Sequence, residues 1–169
     1  MTYDGRQVSN FVLDICDQNG RSLTNLALQK VLYFCHVWSL VELGRPLIRH
    51  HFEAWQYGPV LQYVYHEFKI FDRSPIIARS KKTNPLNGQK EIVAYEFDVE
   101  VEALLKRVVN FYSRLSSSYL VDLSHADDGP WAKVWHHEGT VRPGMQIYDE
   151  DIKAYYSKAN SEYAKFSNA

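Results

Sequence analysis

Between Leu26 and Leu43 the chain is almost wholly apolar, and nothing else in the sequence constrains its fold as strongly. Thr24 stands where a helix N-cap belongs, and Gly44 followed by the helix-breaking Pro46 closes the stretch. The spacing predicts one long helix surrounded by the rest of the chain. At about 100° per residue, Asn25, Gln29, His36, Ser39 and Glu42 fall on one polar stripe. Lys30 does not. It projects onto the apolar side between Val37 and Val41, where an unpaired ammonium is costly to desolvate. Three arrangements would accommodate it: a stem that reaches along apolar surface to water, a carboxylate partner, or a place in a binding groove.

The other elements follow the same periodicities. Val8, Phe11, Val12 and Ile15 mark a first helix that stops at Asn19-Gly20. Phe52 to Trp55 suggests a short extended piece, and Gly58-Pro59 places proline in the first turn of a third helix whose inner face is Val60, Val64 and Phe68. Asp72 to Pro75 and Asn84 to Gly88 are turn-like, with short strands expected at Pro75 to Ala78 and Ile92 to Phe97. Asp98 caps a helix carrying Val101, Leu104, Leu105, Val108, Tyr112 and Leu115. Ser116 to Ser118 end it and cap a short helix from Tyr119 to His125. Pro130 opens a further turn, and Asp149 caps a last helix with Ile152, Tyr156, Ala159 and Tyr163 inside, ahead of a frayed tail. The expected architecture is mainly α, a compact multi-helix domain spanning residues 1–169, with a small β element in the middle third, as a short hairpin or separate strands.

Composition narrows the function classes. Nineteen Lys and Arg against 20 Asp and Glu give a net charge of −1, so no overall basic field favours nonspecific nucleic-acid binding. Aromatics make up 14% of the chain, with 12 Tyr, and exposed aromatics anchor protein interfaces. No apolar run is expected to reach the roughly 20 residues that cross a bilayer, and the N-terminus lacks a signal-peptide pattern, which points to the cytoplasm and no membrane partner. Cys16 and Cys35 have no CxxC spacing and are expected to be buried thiols. The chain contains no phosphate loop, HExxH or GxSxG. The adjacent pairs His50-His51 and His136-His137 are poorly spaced for one ion, so neither metal nor cofactor is expected. Asp122, Asp127 and Asp128 beside His125 are an acid/base set on paper, but the same run makes an ordinary helix-to-turn junction. The segment Trp55-Gln56-Tyr57-Gly58-Pro59-Val60 has two readings: its aromatics fix a helix start against the core, or they surround a helix N-terminus that attracts a partner's acidic or carbonyl group.

Ordered along the chain, Leu28-Gln29-Lys30-Val31-Leu32-Tyr33-Phe34, Gly44-Arg45-Pro46-Leu47 and Phe52-Glu53-Ala54-Trp55-Gln56-Tyr57-Gly58-Pro59-Val60, with Tyr65 and Phe68 beyond, resemble the Panacea domain. That family includes SocA-like antitoxins and phage-associated proteins similar to GepA. Ser124-His125 and Pro130-Trp131 are similar to its Thr-His and Pro-Trp elements, and Ile152 to Tyr156 to its closing helix. Val31 stands where Leu is common and Ser124 where Thr is usual. The resemblance implies an antitoxin that binds a cognate protein toxin, and for some members an adaptor role delivering the toxin to the ClpXP protease. The residues expected to bind, or to support what binds, are Gln29, Lys30, Tyr33, Trp55, Tyr57, Gly58, Pro59 and Tyr65, with His125, Pro130 and Trp131 as framework. Two other classes stay open: a nucleic-acid-binding regulator using Arg79, Lys81, Lys82 and Lys90, and a phage-associated enzyme using His125 with Asp122 or Asp127.

Overall fold

The computed structural model describes residues 1–139 and 141–158 together with Tyr163. Ala159 and the expected frayed tail lie outside the described residues. The long apolar helix forms as the sequence predicts. α2 (Asn25–Trp38) starts at Thr24, whose hydroxyl accepts the Ala27 N–H at 3.2 Å, and Gly44 ends the run at φ 70°. Its last five residues, Ser39–Leu43, wind as a π-helical turn, and the Ser39 hydroxyl donates to the Arg45 carbonyl. Together they give 19 residues, long and apolar enough to cross a membrane, contrary to the expectation from sequence. Packing gives that composition its role, since 78% of the apolar window is buried inside the fold. Most of the polar stripe is buried too: Asn25, Gln29, His36 and Ser39 are all inside, and only Glu42 reaches the surface.

Helices surround α2. α1 (Gly5–Gln18), α3 (Gln62–Phe68), α4 (Val99–Tyr112), α5 (Ser117–Ser124) and α7 (Asp149–Lys158) all touch it, and α6 (Pro130–Trp135) packs on α7. Phe34 stacks on Tyr112 at 4.2 Å, and the Trp38 indole donates to the Tyr112 hydroxyl at 2.9 Å. Every apolar residue named on the inner face of α4 is buried except Leu115, which is partly buried. Ser116 caps α5 through the Tyr119 N–H. The expected caps Asp98 and Asp149 behave differently. Asp98 holds the N-cap position, but its carboxylate pairs with Arg45 at 3.3 Å. Asp149 lies inside the first turn of α7 and accepts from buried His36 at 2.8 Å. The other ring nitrogen, Nδ1, accepts the Ile48 N–H, which leaves Nε2 as the donor to Asp149.

Two small antiparallel pairs supply the β structure. β1 (Glu53–Trp55) pairs with β2 (Gly58–Val60), and β3 (Lys81–Thr83) with β4 (Lys90–Ile92). Pro59 is therefore a strand residue, and the third helix begins later, at Gln62, correcting the helix start expected at Gly58-Pro59. Proline is tolerated in such an edge because it has no N–H to leave unpaired. The second pair keeps the expected turn at Asn84 to Gly88. Its strands fall nearer that turn than the expected Pro75 to Ala78 and Ile92 to Phe97, sharing only Ile92 with them, and are exposed on both faces, so they lack the apolar alternation by which strands are read.

Asp4 was not anticipated. It caps α1 in a capping box with Gln7 and is bonded to Arg6, to Arg49 at 2.8 Å and to the Tyr63 hydroxyl. Burial alone would raise its carboxyl, but the hydrogen bonds and charge of Arg6, with Arg49, hold it at about 2. A carboxyl lowered in the folded state contributes stability above its ordinary value near 4, lost as pH falls toward 2. Asp4→Asn is expected to lose about 1–2 kcal/mol at pH 6, after allowance for the exposure of Arg49, and to flatten the dependence of stability on pH between 4 and 2. Urea unfolding across that range measures both.

Candidate functional site

The expected binding residues other than Tyr33 converge on the β1–β2 hairpin. Trp55 and Gly58 are paired, so Gln56 and Tyr57 form its tip, with Gly58 taking φ 107°. A glycine with positive φ after a two-residue turn lets the hairpin twist back tightly. It also lets the hairpin lie against the helices, since a Cβ on Gly58 would come within 2.6 Å of Lys30 Cε and of Ser124 Oγ.

Two buried side chains of α2 hold this hairpin. The Gln29 Oε1 accepts the Leu61 N–H at 3.0 Å while its Nε2 donates to Asn25, and Asn25 in turn donates to the Tyr65 carbonyl. Lys30 is fully buried, and its Nζ donates to the Pro59 carbonyl at 2.9 Å. Of the arrangements weighed for it, a stem reaching water is overturned by its complete burial, and no carboxylate meets it among the described residues. It sits beneath the hairpin and bonds a backbone oxygen. Burial pushes its ammonium down to about 7.

A cleft of about 250 Å³ opens beside the hairpin, lined by Leu26, Gln29, Trp55, Gln56, Tyr57, Val60 and Tyr65. Trp55 and Tyr65 meet edge to face at 5.1 Å, and the Trp55 indole N–H is held by Glu53. Tyr57 at the tip is 59% exposed. Four of the expected residues, Gln29, Trp55, Tyr57 and Tyr65, thus share one cavity wall. Leu26, Gln56 and Val60 were not among the residues expected to bind, because their side chains look ordinary until the hairpin brings them together. Tyr33 lies elsewhere: it is fully buried, with its ring against Phe34, Phe52 and Tyr156. Its connection to the site runs through Phe52, which precedes β1.

From the other side, α5 and α6 brace the hairpin. Pro130 opens α6, and the Trp131 indole donates to the Trp55 carbonyl at 2.8 Å. His125 stacks on Trp131 at 3.7 Å with the rings nearly parallel, and its Nε2 is buried with no hydrogen-bond partner among the described residues. Burial and the charge of nearby Lys30 lower its pKa, against the pull of Asp122. Among the described residues no side-chain hydrogen bond joins His125 to Asp122 or Asp127. No group of three or more His, Cys, Asp or Glu positioned to hold a metal is found among them either. Cys16 and Cys35 are buried free thiols, raised by burial. In the basic stretch, Arg79 is bonded to Asp14 and Asp17, leaving Lys81, Lys82 and Lys90 on the exposed ribbon.

A mainly helical domain that buries polar side chains to hold an aromatic hairpin beside a cleft is the class these elements define. The chain belongs to the family described as Antitoxin SocA-like, Panacea domain, whose model matches residues 28–132. That span contains every candidate residue from Gln29 to Trp131, as the motif resemblance implied. The chain is also 40% identical over 151 residues to the protein Antitoxin SocA of Caulobacter vibrioides (strain NA1000 / CB15N), a match covering 89% of this chain and 80% of that protein. No solved structure matches.

Proposed function

We propose that the protein acts in the cytoplasm as an antitoxin, neutralising a cognate protein toxin by direct, stoichiometric binding and without catalysis. The observation that carries this reading is the placement of Tyr57, 59% exposed at the tip of a hairpin whose own residues Gly58 to Val60 are buried. A large aromatic on a pre-braced support loses little freedom on binding, and such residues dominate interface energetics. The adjoining cleft offers an apolar, aromatic-lined seat for a toxin side chain, with the Gln29 amide at its wall. Lys30 and Trp131 anchor the hairpin through two of its backbone carbonyls, which supports a rigid contact surface. The family resemblance adds a finer reading, in which the bound toxin is delivered to ClpXP.

The test is coexpression with the product of the neighbouring open reading frame. That product alone is expected to stop growth, and this chain to restore it. Tyr57→Ala, at an exposed position, is expected to leave folding intact and to weaken toxin binding by about 2 kcal/mol, some 30-fold. A harmless neighbour, or an unchanged affinity for Tyr57→Ala, overturns the reading. Toxin half-life separates the adaptor version: delivery requires the toxin to be lost faster with this chain present, and only in cells that contain the protease.

A further inference from the structure

The β3–β4 ribbon contributes nothing to the core, since all six strand residues are exposed. A two-stranded hairpin alone is marginally stable. This one is nevertheless fixed at both ends. At its base the buried Asn10 amide donates to the Ser80 and Val93 carbonyls at 3.1 and 2.9 Å and accepts the Ser80 N–H at 2.7 Å. At its tip the Asn84 and Asn87 side chains accept the Leu86 and Gln89 N–H groups. The fold therefore holds an exposed ribbon in one orientation.

The hydrogen-bond pattern identifies the open edge. Val93 donates to the Ser80 carbonyl and Asn84 to the Gln89 carbonyl, which makes 82 and 91 the bonded pair between them and turns the backbone groups of Lys81, Thr83, Lys90 and Ile92 outward. On the β3 side the Lys81 N–H is taken by Glu67 at 2.7 Å. On the β4 side the backbone groups of Lys90 and Ile92 make no hydrogen bond among the described residues. The two faces also differ. Opposed residues share a face, so Lys81, Ile92, Thr83 and Lys90 lie together, while Lys82 faces Glu91 on the other side. Glu91 also accepts from Asn84 there. One face is neutralised; the other carries two lysines and no acidic strand residue, the Glu67 carboxylate lying only at the Lys81 end, together with Ile92, which is 59% exposed.

The geometry points to a second docking surface: an extended acidic segment of a protein partner adds to the outer edge of β4, its carboxylates over Lys90 and Lys81 and an aliphatic side chain on Ile92. Strand addition uses the free backbone groups for affinity and the alternating side chains for selectivity. A phosphate backbone fits less well. The cation at the ribbon's base, Arg79, is already bonded to Asp14 and Asp17, the whole chain carries a net charge of −1, and Ile92 and Leu86, the latter 94% exposed, offer a polyanion nothing. The inference is independent of the antitoxin reading, because it uses neither Tyr57 nor the cleft.

The probe is an acetylated octapeptide in which serine separates alternating glutamate and valine, so that the acidic and aliphatic side chains share one strand face, titrated into the isotopically labelled full-length chain and followed by NMR. The amides of Lys90 and Ile92 are expected to shift and to become protected from hydrogen exchange. Lys81→Gln with Lys90→Gln should weaken binding about three- to tenfold, as two exposed ion pairs do, whereas Lys82→Gln on the opposite face should change it less than about twofold. Equal losses for Lys82→Gln would reduce the effect to diffuse charge and overturn the proposal. So would the absence of protection at Lys90 and Ile92, the absence of binding, or tighter occupation of the same face by a 20-base-pair DNA duplex at matched salt.

Discussion

Lys30→Met is expected to stabilise the protein at pH 7 and to lose that advantage as the pH rises. The ammonium is held near 7 by burial, against an ordinary value of 10.5. Between those values the unfolded chain binds a proton that the folded chain does not, so stability rises with pH. At pH 7 the burial of Lys30 costs about 4 kcal/mol relative to a group with no pKa difference, and by pH 8.5 about 2.5 kcal/mol. Methionine has a similar shape and no charge, but it leaves the Pro59 carbonyl without its donor, which costs about 1–3 kcal/mol. The net expectation is a gain of about 1–3 kcal/mol at pH 7 that shrinks by about 1.5 kcal/mol at pH 8.5. Urea unfolding of both proteins at the two pH values decides it. The interval lies above the titration of His125, whose pKa is lowered, and below the ordinary values of the cysteines and tyrosines that burial raises. Parallel pH profiles for the two proteins would show that Lys30 is not the titrating group. The same variant should bind toxin less well despite its greater stability, because the bond from Lys30 to Pro59 fixes the hairpin that carries Tyr57. On the proposed function, a stability cost retained for a rigid binding surface is a familiar trade between folding and function.

Lys30 also marks the limit of what the sequence makes legible. Its position on an apolar face identifies it as a charge that needs explaining, because helical periodicity is a local property. Its partner, the Pro59 carbonyl, is a backbone oxygen 29 residues away, and no residue type announces such a partner. The same division runs through the rest of the fold. α2 is readable from Thr24, its apolar run and Gly44, since caps and periodicity act within a few turns. The β1–β2 hairpin is not, because proline in a helix's first turn and proline in an edge strand follow glycine equally well. Only the pairing of Trp55 with Gly58 separates the two. Asn10 carries no local signal, as its partners lie 70 and 83 residues away, whereas Asp4 is marked locally by its capping box with Gln7 and only its bonds to Arg49 and Tyr63 are hidden from the sequence. The candidate site was legible as motif residues and illegible as a cleft. Gln29, Trp55, Tyr57 and Tyr65 stand out in the sequence, while Leu26 and Val60 matter only for the wall they complete.

Gly58→Ala is the most damaging small substitution expected at this site. Alanine at φ 107° lies outside even the left-handed region that non-glycine residues visit, at a cost of about 1–2 kcal/mol. Its methyl would also stand 2.6 Å from Lys30 Cε and from Ser124 Oγ. Neither neighbour gives way cheaply. Lys30 is fully buried and can retreat only by releasing Pro59, and Ser124 is bonded to the Val121 carbonyl at 2.8 Å. Overpacking of this kind adds about 1–3 kcal/mol, so a total loss of about 2–5 kcal/mol is expected in urea unfolding. Ser124→Ala in the same chain removes one of the two colliding atoms and should restore about 1 kcal/mol, a coupling that a double-mutant cycle isolates. Because the strain falls on the contact that orients the hairpin, toxin binding should fall even at temperatures where the variant remains folded. If Gly58→Ala unfolds at the wild-type urea concentration, the hairpin does not lie against α2 and α5 as closely as this structure has it, and the account of how Lys30 supports the binding surface fails with it.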